Sequence, residues 1–175
     1  FTNTIVTTQP TFTQVDGTWS IWAYSQNILH SWLRSGGVRP GYPTFTNASF
    51  TSSPYIFENQ ILGSATDGYV YSIGQKPSFK DSLAVSIHSL GQPSSTTYSP
   101  QVIDLNGDGN MELVSLAEFG RLYAWEVLTN QRIFNIPTSG MKFPIIADLN
   151  RDGQKELIAQ TREGLRCWTI NKIDE

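Results

Sequence analysis

PQVIDLNGDGNMELVSLAEFGRLYAWEV at residues 100–127 and PIIADLNRDGQKELIAQTREGLRCWTI at residues 144–170 are two copies of one pattern. Each opens with a proline and a short apolar run, enters a polar loop of Asp, Asn and Gly, and resumes with ELV or ELI. A tight turn (EFG, REG) then leads into a strand that carries Trp125 or Trp168. Toward the N-terminus the same order returns twice in shorter form: PYIFE, QILGSA, TDG and YVYSIG from Pro54, and PTFTQV, WSIWAYS, QN and ILHSWL from Pro10. Pro10, Pro54, Pro100 and Pro144 lie 44, 46 and 44 residues apart. A fixed period of this size marks a repeat architecture.

The runs are four to seven residues long, rich in Val, Ile, Thr, Tyr and Trp, and bounded by Gly, Asn, Asp or Ser. That is hairpin chemistry, and no amphipathic helical pattern interrupts it. A fourth, outer strand is legible as QRIFNI at 131–136 and LAVSI at 83–87, and is weak in the first repeat near Tyr42 to Phe45. The expectation is therefore an all-β chain forming one β-propeller domain over 1–175, with repeats at about 10–53, 54–99, 100–143 and 144–175. Small antiparallel sheets bury both faces only against their neighbours, which is the propeller solution. The β-branched segment TIVTT at 4–8 has no partner in its own repeat and is expected to complete the last blade, closing a four-bladed ring and covering open edges. A larger ring, or one shared between two chains as a homodimer, satisfies the same period.

Composition narrows the function. Twelve basic against fifteen acidic side chains give a net charge of −3, too weak a field to select nucleic acid. No apolar run reaches the length of a membrane span, so membrane insertion is not expected. Charged residues are only 15% of the chain, and a surface solvated by neutral polar groups suits a secreted, extracellular or cell-surface protein. Cys167 is the only cysteine, so no disulfide forms within the chain. A chain that starts at Phe1 reads as a processed or excised piece of a longer protein.

The two long copies differ from the others in the first connection. Gly120 follows Pro100 by twenty positions and Gly164 follows Pro144 by twenty, whereas Gly68 follows Pro54 by fourteen. The added residues fall in DLNGDGNME at 104–112 and DLNRDGQKE at 148–156. Oxygen donors occupy loop positions one, three, five and nine: Asp104, Asn106, Asp108 and Glu112, then Asp148, Asn150, Asp152 and Glu156. Position seven, Asn110 or Gln154, offers a backbone carbonyl. Ca²⁺ takes about six to eight oxygen ligands, and alternate donors on a turning chain converge to supply them; Mg²⁺ demands tighter octahedral geometry. Gly109 and Gly153 fall where the chain must turn around the ion. The opening mirrors an EF-hand, but acid at position nine and flanking strands exclude that motif. Arg151 and Lys155 add positive charge to the second loop and lower its expected affinity. Two Ca²⁺ sites are expected, with a structural role, since no His lies near either loop in sequence.

DLNGDGNMEL and DLNRDGQKEL resemble the D-x-[DN]-x-D-G-x-x-[DE]-L loops of integrin α-chain propellers and of bacterial FG-GAP and VCBS-type repeats. The resemblance implies Ca²⁺ held between the first and second strands of a blade, in two repeats of four. The first repeat keeps only VDG at 15–17 and the second has Glu58 and Asn59 in a short turn, so these two are expected to be metal-free. LYAWEVLTNQRIF at 122–134 also resembles the A-x-D-x-x-T-G-x-x-x-W blade motif of quinoprotein propellers through Ala124 and Thr129. Glu126, Asn130 and Phe134 replace its Asp, Gly and Trp, which reduces the likeness to shared blade mechanics.

His30 and His88 are the only histidines, and no nucleophile elbow, phosphate loop or zinc spacing accompanies them. Enzymatic activity is not expected of this chain. The expected role is a binding, adhesion or scaffold module for a protein or carbohydrate ligand, with the loops at 32–43 and 88–100 as contact surfaces. The competing class is the propeller domain of a quinone-dependent or polysaccharide-active enzyme.

Overall fold

The computed structural model describes residues 5–46, 48–74, 85–89, 98–117, 120–127, 129, 131–138 and 143–170. Among these there is no α-helix, and the chain is all-β with four antiparallel sheets. The first sheet runs β1 (Thr11–Val15), β2 (Thr18–Ser25), β3 (Ile28–Leu33) and β4 (Thr44–Phe45) in chain order. The second repeats that order with β5 (Tyr55–Phe57), β6 (Gln60–Ser64), β7 (Tyr69–Gly74) and β8 (Val85–Ser89). The third has β9 (Gln101–Ile103), β10 (Glu112–Ala117), β11 (Arg121–Glu126) and β12 (Arg132–Pro137). Among the described residues the last has three strands, β13 (Ile145–Ala147), β14 (Glu156–Thr161) and β15 (Gly164–Thr169).

The strands read within each repeat are present, and the weak outer strand of the first repeat is the two-residue β4; the described part of TIVTT, residues 5–8, forms no strand. The outer strand expected at 83–87 runs Val85–Ser89; residues 83–84 lie outside the described residues, as do 90–97 of the 88–100 loop. The chain divides into two compact units, Phe1–Pro100 and Gln101–Glu175, so the boundary falls between the second and third repeats.

In the first unit an aromatic core seals the two sheets together. The Tyr24 and Phe50 rings stack at 4.0 Å, Phe50 meets Tyr71 edge-on at 5.9 Å, and Trp22 meets Tyr42 edge-on at 5.1 Å. Such pairs add about 0.5–1.5 kcal/mol each beyond burial. Gly63 on β6 makes the stack possible, because a Cβ there would lie 2.5 Å from Phe50 Cδ1. The 32–43 loop is tied down rather than free. The Arg39 guanidinium lies over the Trp22 ring at 5.9 Å and donates to Ser20 Oγ at 2.8 Å.

The opening segment does not go where the sequence suggested. Thr7 N–H donates to Tyr24 O at 3.1 Å, Tyr24 N–H to Thr8 Oγ1 at 3.0 Å, and Ser25 Oγ–H to Ile5 O at 2.7 Å. Residues 5–8 thus run beside the end of β2 that β1 leaves uncovered, without forming a strand. Continuing beside a strand already paired closes no new loop, whereas joining a distant sheet does.

Candidate functional site

The two inserted loops connect β9 to β10 and β13 to β14, and their glutamates open the second strand of each sheet. Glu112 pairs across to Ile103 and Glu126, and Glu156 pairs to Ala147 and Thr169. The next residues keep the same register, Leu113 opposite Trp125 and Leu157 opposite Trp168, so the two loops hang from equivalent frames. In the short repeats the equivalent connection is a two-residue hairpin, with Asp16 at φ 52 and Glu58 at φ 49. Neither turn has room for a row of alternating donors.

Each loop is folded by its own carboxylates and amides. In the first, Asp104 Oδ1 accepts from Gly107 N–H at 2.7 Å and Oδ2 from Gly109 N–H at 3.1 Å. Asn106 Oδ1 accepts from Asp108 N–H at 3.1 Å, and Asp108 Oδ1 from Asn110 N–H at 2.8 Å. Glu112 Oε2 reaches back to Leu105 N–H at 2.6 Å. The second loop repeats most of this set. Asp148 Oδ2 accepts from Gly153 N–H at 3.0 Å, Asn150 Oδ1 from Asp152 N–H at 2.9 Å, Asp152 Oδ1 from Gln154 N–H at 2.8 Å, and Glu156 Oε2 from Leu149 N–H at 2.8 Å. Gly109 and Gly153, at φ 88 and φ 92, supply the turn after position five in both.

In both loops the side chains at positions one, three, five and nine are all turned onto loop amides. Among the described residues, no group of three or more His, Cys, Asp or Glu is gathered closely enough to hold a metal ion. The loop amides leave two oxygens unserved. Asp148 Oδ1 and Glu156 Oε1 are buried and make no hydrogen bond, and Glu156 as a residue is only 5% exposed. A buried carboxylate oxygen without a partner is costly, on the order of 1–3 kcal/mol or more. A hard dication is the group that oxygen donors of this kind would satisfy. The donor set of the second loop therefore fits Ca²⁺.

The first loop carries the same stress in electrostatic form. Glu112 is 2% exposed, and burial raises its carboxyl from 4.5 to about 7. The charges of Asp108, Asp104 and Glu126 push in the same direction, against the Leu105 N–H hydrogen bond, which lowers it. The sequence reading named Glu126 only as the replacement for an Asp of the quinoprotein blade motif, not as a site residue. It enters through the β10–β11 register, and Thr129 Oγ–H also donates to it.

Of the histidines, His30 is buried in the first sheet, stacks on Trp32 at 5.3 Å and has its pKa lowered by burial. Two clefts lie away from the loops. One, about 330 Å³, is lined by Phe12, Trp19, Ile21 and Arg34 in the first unit. The other, about 470 Å³, is lined by Arg121, Arg162, Arg166, Glu163 and Trp168 in the second.

Compared with solved structures, the chain is similar to the computationally designed Ika4 protein, at 14% identity over 97% of this chain and 93% of that one, with a TM-score of 0.50. It is also matched to BamB from Moraxella catarrhalis, at 12% identity over 97% of this chain and 59% of that one, with a TM-score of 0.47. The likeness to Ika4 is one of fold alone. No protein-family model and no curated protein matches the chain.

Proposed function

We propose that this chain is a calcium-stabilised β-propeller module of the FG-GAP/VCBS kind, acting outside the cell as a binding or scaffold element rather than as an enzyme. The observation that carries the reading is the pair of buried, unpartnered oxygens, Asp148 Oδ1 and Glu156 Oε1, inside a donor template that the sequence repeats twice. In the first loop Asp104, Asn106, Asp108, the carbonyl of Asn110 and Glu112 would hold an ion; in the second, Asp148, Asn150, Asp152, the carbonyl of Gln154 and Glu156. The bound ion supplies charge neutralisation. The chain's own part is to hold each loop wound between two strands, so that little ordering remains to be done on binding.

The binding role draws on the two clefts. Phe12, 63% exposed, and Trp19, 48% exposed, offer apolar ring surface of the kind that stacks on sugars or peptide side chains. Propeller architecture draws on the 44-residue period and on four antiparallel sheets, each with its strands in chain order.

Thermal unfolding of the EDTA-treated protein with and without Ca²⁺ tests the metal reading. Ca²⁺ at a hundredfold excess over Kd adds about 2.7 kcal/mol per site, a rise of about 5–10 °C, and Asp108→Ala or Asp152→Ala removes part of it. A melting temperature indifferent to Ca²⁺ in every form would reduce the loops to ordinary turns and remove the main support for the family.

A further inference from the structure

The two loops are in direct contact through their main chains. Lys155 N–H, beside Glu156, donates to the carbonyl of Leu105, beside Asp104, at 2.9 Å. Gly107, fourth in the first loop, faces Gly153 of the second: a Cβ on residue 107 would lie 2.8 Å from the Gly153 carbonyl oxygen and 3.4 Å from its carbon. Its φ of +73 is also one that side chains disfavour. Leu105 is fully buried, while its counterpart Leu149 is 55% exposed. Fourth in the second loop is Arg151, an exposed residue. One loop therefore forms part of the wall of the other, and the glycine that distinguishes DLNGDG from DLNRDG stands at the contact.

We infer that the two loops take up calcium as one coupled pair, the state of each setting the affinity of the other, an inference that rests on the calcium reading above. The 148–156 loop was expected from Arg151 and Lys155 to be the weaker site, but its two unpartnered buried oxygens give it the stronger demand for an ion, and it loads first. Fixing Asp148 and Glu156 fixes the main chain from Gly153 to Lys155, which is the surface that seats Gly107 and Leu105. The first loop then has less freedom left to lose when its own ion arrives, which is the physical content of positive coupling. Repulsion between two dications acts against this, and the three carboxylates that each loop contributes screen it.

The test is calorimetric titration of the EDTA-treated full chain with Ca²⁺, alongside Asp108→Asn and Asp152→Asn, each of which disables one loop. The wild type should bind two ions. In each variant the intact loop should bind about tenfold more weakly than in the wild type, and by the same factor in both directions, because linkage is reciprocal. Gly107→Ala should weaken both sites together; if far-UV circular dichroism shows that it does not fold, the two Asp variants decide alone. An intact loop that keeps its wild-type affinity in both Asp variants overturns the coupling and leaves the calcium reading in place. Absence of any binding heat and of any calcium-dependent melting shift in the wild type overturns both.

Discussion

The loop at 104–112 and the loop at 148–156 share a template and a register, yet their surroundings treat the same residues differently. Position one accepts two loop amides through Asp104 but only one through Asp148, whose other oxygen is buried without a partner. Position two is fully buried as Leu105 and half exposed as Leu149. Position nine faces Glu126 in one sheet and Thr169 in the other. A motif therefore fixes which oxygens a loop carries, while the neighbours decide which of them find a partner and which are buried without one.

The largest effect expected from this comparison is at position two. Leu105→Ala should cost about 2–5 kcal/mol in urea unfolding, as for other fully buried leucines, and Leu149→Ala less than about 0.5 kcal/mol. Equal losses would mean that the second loop does not cover the first. At position one, measured in EDTA, Asp104→Asn should destabilise by about 1.5–3 kcal/mol, because an amide cannot accept from both Gly107 and Gly109 N–H. Asp148→Asn in EDTA should be neutral or stabilising, since it removes a charge whose Oδ1 has no partner. A loss in Asp148→Asn matching that in Asp104→Asn would break the distinction.

The smallest expected effect is pH dependence at position nine. The folded Glu112 carboxyl titrates at about 7, above its ordinary 4.5. Below pH 4.5 both folded and unfolded chains hold the proton, so the contribution of this group to stability is fully present. As pH rises toward 7 the unfolded chain releases it first, and that stability is lost. In EDTA the melting temperature should therefore fall by a few degrees between pH 5 and 7.5, and Glu112→Gln should flatten the fall. A profile unchanged by Glu112→Gln would place the buried charge elsewhere.

Much of this was legible in the chain of residues. Proline spacing and β-branched runs gave the strands closely, because each hairpin is specified by local turn chemistry and by its own apolar alternation. The alternation of oxygen-bearing side chains in the loops was legible for the same reason, each being fixed by a position within nine residues. The path of residues 5–8 was not, since a lone β-branched segment names no partner and pairs along whichever edge its chain reaches first. Nor was Glu126, which bears on Glu112 only because β10 and β11 pair in that register.

By itself the sequence determined the repeat, the all-β class and the two loops of alternating oxygen-bearing side chains, because these depend on contacts between residues close in the chain. Tertiary structure alone decided that Gly107 meets Gly153, that Leu105 is covered and Leu149 is not, and that two carboxylate oxygens of the second loop are sealed from water without a partner. Burial, and the cost it puts on charge, belongs to the packing of segments far apart in sequence, and no local pattern encodes it.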